Sequence, residues 1–256
     1  MYSILVDVTR CTGCEQCVTA CAVAHGQAPG EPELEPSGEG LSENHLCSIE
    51  PLESGRFARK SCMHCLEPSC VAACLVGAIT KTPEGPVVYD SSKCIGCRYC
   101  MLACPHHVPR YEWSKTTPFV KKCDLCFDRL AEGGQPACVE ACPNDVLRFG
   151  DRNELLGVAR RAIAGNPGRY LPRIWGEHEW GGTSVMYISD VDLAALDWPE
   201  PAEPPIPALT DPMIEKTPFI GAGAAISLWA IGAIISRRNE VMAAEHARKR
   251  EERKDD

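Results

Sequence analysis

Residues 94–105 read CIGCRYCMLACP. Cys94, Cys97 and Cys100 stand at intervals of three; Cys104 follows after three intervening residues and is backed by Pro105. Three thiolates within seven residues wrap one corner of an iron–sulfur cube, and the displaced fourth, carried on the helix that follows, reaches a second cube. The proline suits a chain that has to turn away from this ligand with its backbone fixed. Such a quartet predicts a partner quartet elsewhere in the chain.

The sequence supplies three more. Cys11, Cys14, Cys17 and Cys21 repeat the spacing. Cys62, Cys65, Cys70 and Cys74 loosen it by two residues, and Cys123, Cys126, Cys138 and Cys142 open an eleven-residue gap before again ending in Cys-Pro. Sixteen of 17 cysteines are thus used, and four quartets predict four [4Fe-4S] clusters. Structural zinc takes paired knuckles, often mixed with histidine, and disulfides have no need of one register repeated four times. Cys47 is left over and is expected as a small buried apolar residue. Spacing alone leaves the pairing of quartets open between sequential and nested arrangements.

The 256 residues are 45% hydrophobic but only 6% aromatic, with 21 glycines and 21 prolines. That bounds the chain to one ordinary domain or two small ones with few large core side chains. A net charge of −9 excludes a general nucleic-acid binder, which needs a basic face. No nucleophile–base pair, phosphate loop or dinucleotide fingerprint stands beside the cysteines, and the glycines of GAGAAIS (221–227) read as helix packing. His64, between two ligands, and His106 and His107, after Pro105, are expected at the surface; hydrogen bonding to a cluster is the competing role. With four cysteines per cluster no iron is open to substrate, so the chain is expected to be non-catalytic.

Residues 1–10 alternate as a short strand, and 27–42 form an acidic, Pro- and Gly-rich insertion. NHLCSIEPLESGRFARK predicts a strand pair turning around Glu53, Ser54 and Gly55, and TPEGPVVYD a hairpin. Residues 153–165 predict an amphipathic helix capped by Asp151 or Asn153 and ended by Gly165, and SVMYIS predicts a strand. The cluster domain is expected over 1–197. Seven prolines between Trp198 and Pro218 predict an extended linker over 198–216. The uncharged stretch 217–236, TPFIGAGAAISLWAIGAIIS, then has the length to cross a bilayer, about 30 Å as a helix. Gly221 to Ala225 give it a smooth face for another membrane helix.

Arginines and lysines crowd the tail, 237–256, while Lys216 alone precedes the span at similar distance. Positive charge stays cytoplasmic, so the cluster domain is expected on the periplasmic side of a bacterial inner membrane. The opening residues carry neither a long apolar stretch nor a twin-arginine pair. The expectation is export of the folded, cluster-loaded domain as passenger of a signal-bearing partner, because cluster binding drives folding.

CMHC (62–65), CIGCRYCMLACP (94–105), VPRYEW (108–113), KCDLCFDRL (122–130), PACVEACP (136–143) and GGTSVMYIS (181–189) resemble the four-cluster iron–sulfur subunits of the DMSO reductase family. The likeness is to the membrane-anchored branch, with formate dehydrogenase beta subunits and the ferredoxin-like subunits of hydrogenase-2 type enzymes. It covers more than half the chain. The resemblance implies an α+β fold of two pseudo-symmetric bacterial-type ferredoxin modules (βαββαβ-like) with insertions, plus one C-terminal transmembrane helix. It implies nested pairing: Cys11, Cys14, Cys17 and Cys142 on cluster 1; Cys21, Cys123, Cys126 and Cys138 on cluster 2; Cys62, Cys65, Cys70 and Cys104 on cluster 3; Cys74, Cys94, Cys97 and Cys100 on cluster 4. It also implies partners: a molybdopterin or [NiFe] catalytic subunit, and a quinone-reactive membrane subunit of polysulfide reductase or haem b type. The competing expectations are a membrane-tethered polyferredoxin serving diffusible carriers and a structural zinc protein.

Overall fold

The structure is a computed structural model; it describes the chain except 27–39, 53–54, 114, 117, 194–195, 197, 199–204 and 253–256. The expected acidic insertion therefore lies almost wholly outside the described residues, as do Pro199, Pro201 and Pro204 of the expected linker. The chain divides into two units, residues 1–207 and 208–256.

In the first unit β1 (Tyr2–Asp7) is the centre of a three-stranded sheet, antiparallel to β8 (Leu147–Asp151) on one side and parallel to β9 (Val185–Ile188) on the other. Its side chains alternate between two apolar layers, so the strand is buried on both faces. Ile4 and Val6 enter the larger core with Leu147, Trp175 and Tyr187. Leu5 faces the other way, toward α6 (Arg152–Gly165), whose Leu155, Leu156 and Ala159 close that layer against Met186 and Ile188. Asp151 caps α6, its carboxylate accepting from the amides of Asn153 and Glu154 at 2.8 and 3.4 Å. Gly165 is the last helical residue.

Three antiparallel hairpins complete the β structure. β2 (Cys47–Pro51) pairs with β3 (Phe57–Ser61), β4 (Ile79–Lys81) with β5 (Val87–Tyr89), and β6 (Arg110–Tyr111) with β7 (Val120–Lys121). The first two stand where the sequence predicts hairpins. The short helices of this unit are α1 (Gln16–Ala24) before the first hairpin, α2 (Ser69–Ala72) and α3 (Tyr99–Ala103) between hairpins, and α4 (Phe127–Ala131) and α5 (Ala137–Glu140) after the third. α1 packs against α5, and α2 against α3. The result is a mixed helix and sheet unit followed by one long helix.

That helix, α7, runs from Ile206 to Glu252 and corrects the expected boundaries. Residues 206–216, expected as extended linker, are helical, and 217–236 is the middle of a longer rod. Pro207 is tolerated because a first-turn residue has no amide partner to lose. Pro212 and Pro218 lie inside the helix, where each removes one bond to the carbonyl four residues earlier while the rest of the ladder holds the rod. Thr217 and Ser227 turn their hydroxyls back onto the carbonyls of Met213 and Gly223, both at 2.8 Å. Within residues 206–246 the helix contains a window of mean hydropathy 1.9, none of it buried.

Candidate metal centres

Each quartet starts from one local device. The residue two after the first cysteine has positive φ in all four: Gly13 (74°), His64 (47°), Gly96 (72°) and Leu125 (63°). This left-handed step turns successive amides toward one hollow, a nest for an anionic group. The Gly96 amide lies 3.4 Å from Cys94 Sγ, and the Leu125 amide 3.4 Å from Cys123 Sγ. The third cysteine then rides on a short helix: Cys17 on α1, Cys70 on α2, Cys100 on α3 and Cys138 on α5. The fourth is always four residues on, about 6 Å along the helix axis, so it leaves the hollow served by the first three.

Tertiary packing decides where the fourth goes. Cys142 returns to Cys11, Cys14 and Cys17, and these four line one hollow together with Arg59, Ile49 and Pro143. Cys21 lies within electrostatic range of Cys123, and Cys138 of both Cys123 and Cys126. Cys104 joins Cys62, Cys65 and Cys70. Cys74 joins Cys94, Cys97 and Cys100. Successive sets also lie within electrostatic range of one another, through Cys17 and Cys138, Cys123 and Cys62, and Cys70 and Cys100. At one end Cys14 is exposed and at the other Cys97; the sets between are largely buried.

None of the seventeen cysteines is in a disulfide. Burial pushes Cys17 and Cys70 up to about 12 and Cys100 and Cys138 up to about 11, with neighbouring cysteines adding to the rise. Close-packed thiolates without a counter-charge are unstable, and a metal cation supplies that charge by coordination. Sets of four soft sulfur donors, with backbone amides approaching sulfur at Cys94 and Cys123, fit an iron–sulfur cube, and the residues present accord with that group.

The histidines depart from expectation. His64 and His106 are 0% and 1% exposed, and only His107 is at the surface. His64 Nδ1 accepts the Val87 amide at 2.9 Å, which fixes its proton on Nε2. Burial, then the charges of Lys122, Lys81 and Arg59, hold it well below the ordinary histidine range. His106 stacks edge-on against Trp180, ring centres 4.4 Å apart, and burial pushes it down to about 3. Burial of a residue next to a ligand follows from the loop folding inward, which spacing does not reveal.

Cys47 is 0% exposed, as expected, but it is not inert packing. Its Sγ donates to the Cys17 carbonyl at 3.7 Å, and it lies beside Cys21, whose thiol it helps to push up. Sequence reading also passed over two buried cations and a half-buried one. Arg59 is 2% exposed and Lys122 7%. Lys122 Nζ donates to the Val87 and Cys123 carbonyls, and Lys81 Nζ to those of His64 and Gly85. Strand alternation in FARKS was the available signal, but it does not tell which face is covered.

Residues 54–152 match the family model described as a 4Fe-4S dicluster domain. A formate dehydrogenase, nitrate-inducible, iron-sulfur subunit of Escherichia coli K12 is 33% identical over 90% of this chain and 80% of its own length. The hydrogenase-2 operon protein HybA of Escherichia coli O157:H7 is 36% identical over 77% of this chain and 72% of its own. The B subunit of the anaerobic dimethyl sulfoxide reductase of Escherichia coli K12 is 39% identical over 60% and 75% respectively. With the cysteine sets on one side and these relatives on the other, the chain belongs to the family of [4Fe-4S] electron-transfer subunits of oxidoreductases.

Proposed function

We propose that the chain is the non-catalytic relay of a multi-subunit respiratory oxidoreductase. It holds four [4Fe-4S] clusters in the order of the sets above, from Cys11, Cys14, Cys17 and Cys142 through to Cys74, Cys94, Cys97 and Cys100. The observation that carries this reading is the chain of four sets, each within electrostatic range of the next, with one exposed cysteine at each end. A fully cysteine-ligated cluster takes up and releases one electron at a time. The chain's own residues do the rest. The left-handed loops aim amides at sulfur, the apolar layers exclude water, and Lys81, Lys122 and Arg59 offset negative charge.

Two ferredoxin-like modules are supported by loop type. α1 and α3 start from left-handed Glu15 and Arg98, whereas α2 and α5 start from Pro68 and Pro136. Each packed helix pair, α1 with α5 and α3 with α2, joins one of each kind. Around Cys97 the side chains of Leu75, Ile95 and Leu102 are 73%, 64% and 83% exposed, an apolar rim suited to a protein partner. The partners proposed are a molybdopterin or [NiFe] catalytic subunit and a quinone-reactive membrane subunit. Residues 217–236 of α7 would lie in the bilayer, with the basic tail cytoplasmic and the cluster unit periplasmic.

Anaerobic purification after gentle detergent extraction tests the proposal. The expected result is brown protein with about sixteen irons per chain, bleached by dithionite, in stoichiometric complex with a catalytic and a membrane subunit. Iron for two clusters, or a chain that elutes alone, overturns it.

A further inference from the structure

Arg59, on β3, carries a permanent charge into the interior of the first unit. Its side chain is 2% exposed, and among the described residues Nη1 donates to Ser61 Oγ. Nε is buried with no partner among the described residues. The backbone is pinned: Arg59 pairs with Ile49 across the hairpin, and its carbonyl accepts from Tyr187 Oη at 2.8 Å. A buried cation is costly unless it faces negative charge. No carboxylate forms an ion pair with it among the described residues.

The groups that do face it are sulfurs. Arg59 lines the hollow bounded by Cys11, Cys14, Cys17 and Cys142. It also acts electrostatically on Cys21, Cys123, Cys126 and Cys138, the set next along. Burial works against its charge, and Cys138, Cys47, Cys123 and Cys17 outweigh that burial. Lys81 and Lys122 act in turn on the third set, through Cys65 and Cys70 respectively. Arg59 is thus the cation that two neighbouring sets have in common.

We infer that Arg59 is a shared tuning cation, which raises the reduction potentials of the clusters held by Cys11, Cys14, Cys17, Cys142 and by Cys21, Cys123, Cys126, Cys138 together. The inference rests on the four-cluster proposal. Each reduction adds one electron, supplied by the partner subunit, and so one negative charge at constant ligation. A fixed cation in a low-dielectric interior favours the more negative state. The unpartnered Nε–H is the group free to donate to cluster or ligand sulfur.

The test is an EPR-monitored redox titration of the detergent-extracted complex with wild-type chain, Arg59→Gln and Arg59→Lys, each with iron content determined. In Arg59→Gln two of the four components should become harder to reduce by about tenfold each, which is about 59 mV for a one-electron couple. The other two should not move, and Arg59→Lys, keeping the charge, should restore most of the difference. Unchanged potentials, a shift in one component only, or Arg59→Lys as altered as Arg59→Gln overturns the inference. If Arg59→Gln instead loses iron, a loss of about half that lysine restores supports a charge role; a loss that lysine does not restore defeats it. Wild-type protein without four clusters would defeat the relay proposal itself, before Arg59 is read.

Discussion

Gly96 occupies φ 72°, and a Cβ there would meet Tyr111 Oη at 2.7 Å. Gly13 sits at φ 74°, and its Cβ would strike the Phe57 ring at 2.9 Å. Left-handed backbone alone disfavours a side chain by about 1–2 kcal/mol, and the clash adds to it. Gly96→Ala should therefore disturb one loop and lower iron content by about a quarter, four of sixteen, as measured by colorimetric assay on anaerobic protein. His64 and Leu125 hold the same conformation without glycine, which is why the turn is visible in two quartets and hidden in the other two. Cys47 gives the complementary prediction. It belongs to no quartet, so Cys47→Ser should retain the full iron complement, whereas Cys138→Ser should lose iron. A drop in iron for Cys47→Ser would make it a ligand after all.

The alternation of β1 and the cap at Asp151 were legible because local rules govern them. Successive strand side chains alternate between the two faces whatever layer covers each, and an aspartate before an amphipathic run accepts the first free amides. Leu156→Ala removes a side chain packed between α6 and the sheet and should destabilise the unit by about 2–5 kcal/mol. Denaturation followed by circular dichroism should show a lower midpoint, with iron per folded chain unchanged, since that layer holds no cysteine. α7 was legible as apolar but not in extent, because proline counts predict breaks and helical propagation over 47 residues overrode them. Its Phe219 and Trp229 are 79% and 75% exposed, with Leu228 at 70%. Truncation after Pro207 should free the iron-loaded unit from washed membranes, and Gly223→Leu should weaken co-purification of the membrane subunit. Undiminished co-purification in Gly223→Leu would remove the small-residue face from the account.

At the scale of the molecule, the proposed orientation predicts that protease added to right-side-out spheroplasts cleaves the cluster unit and spares the tail. Protection of the cluster unit would place it in the cytoplasm. Cysteine spacing by itself pointed to the cofactor chemistry, because a C-x2-C pair with a third and a displaced fourth thiol, repeated four times, is read along the chain. Residue order likewise determined one apolar segment long enough for a bilayer. What only the tertiary structure decided is which loop receives each fourth cysteine. Which sets are neighbours, and which cations are buried between them, were decided there too. Those contacts join residues as far apart as Cys11 and Cys142, and they follow from α1 packing on α5 and α2 on α3. Such packing depends on how whole faces fit together, and no spacing rule along the chain encodes that.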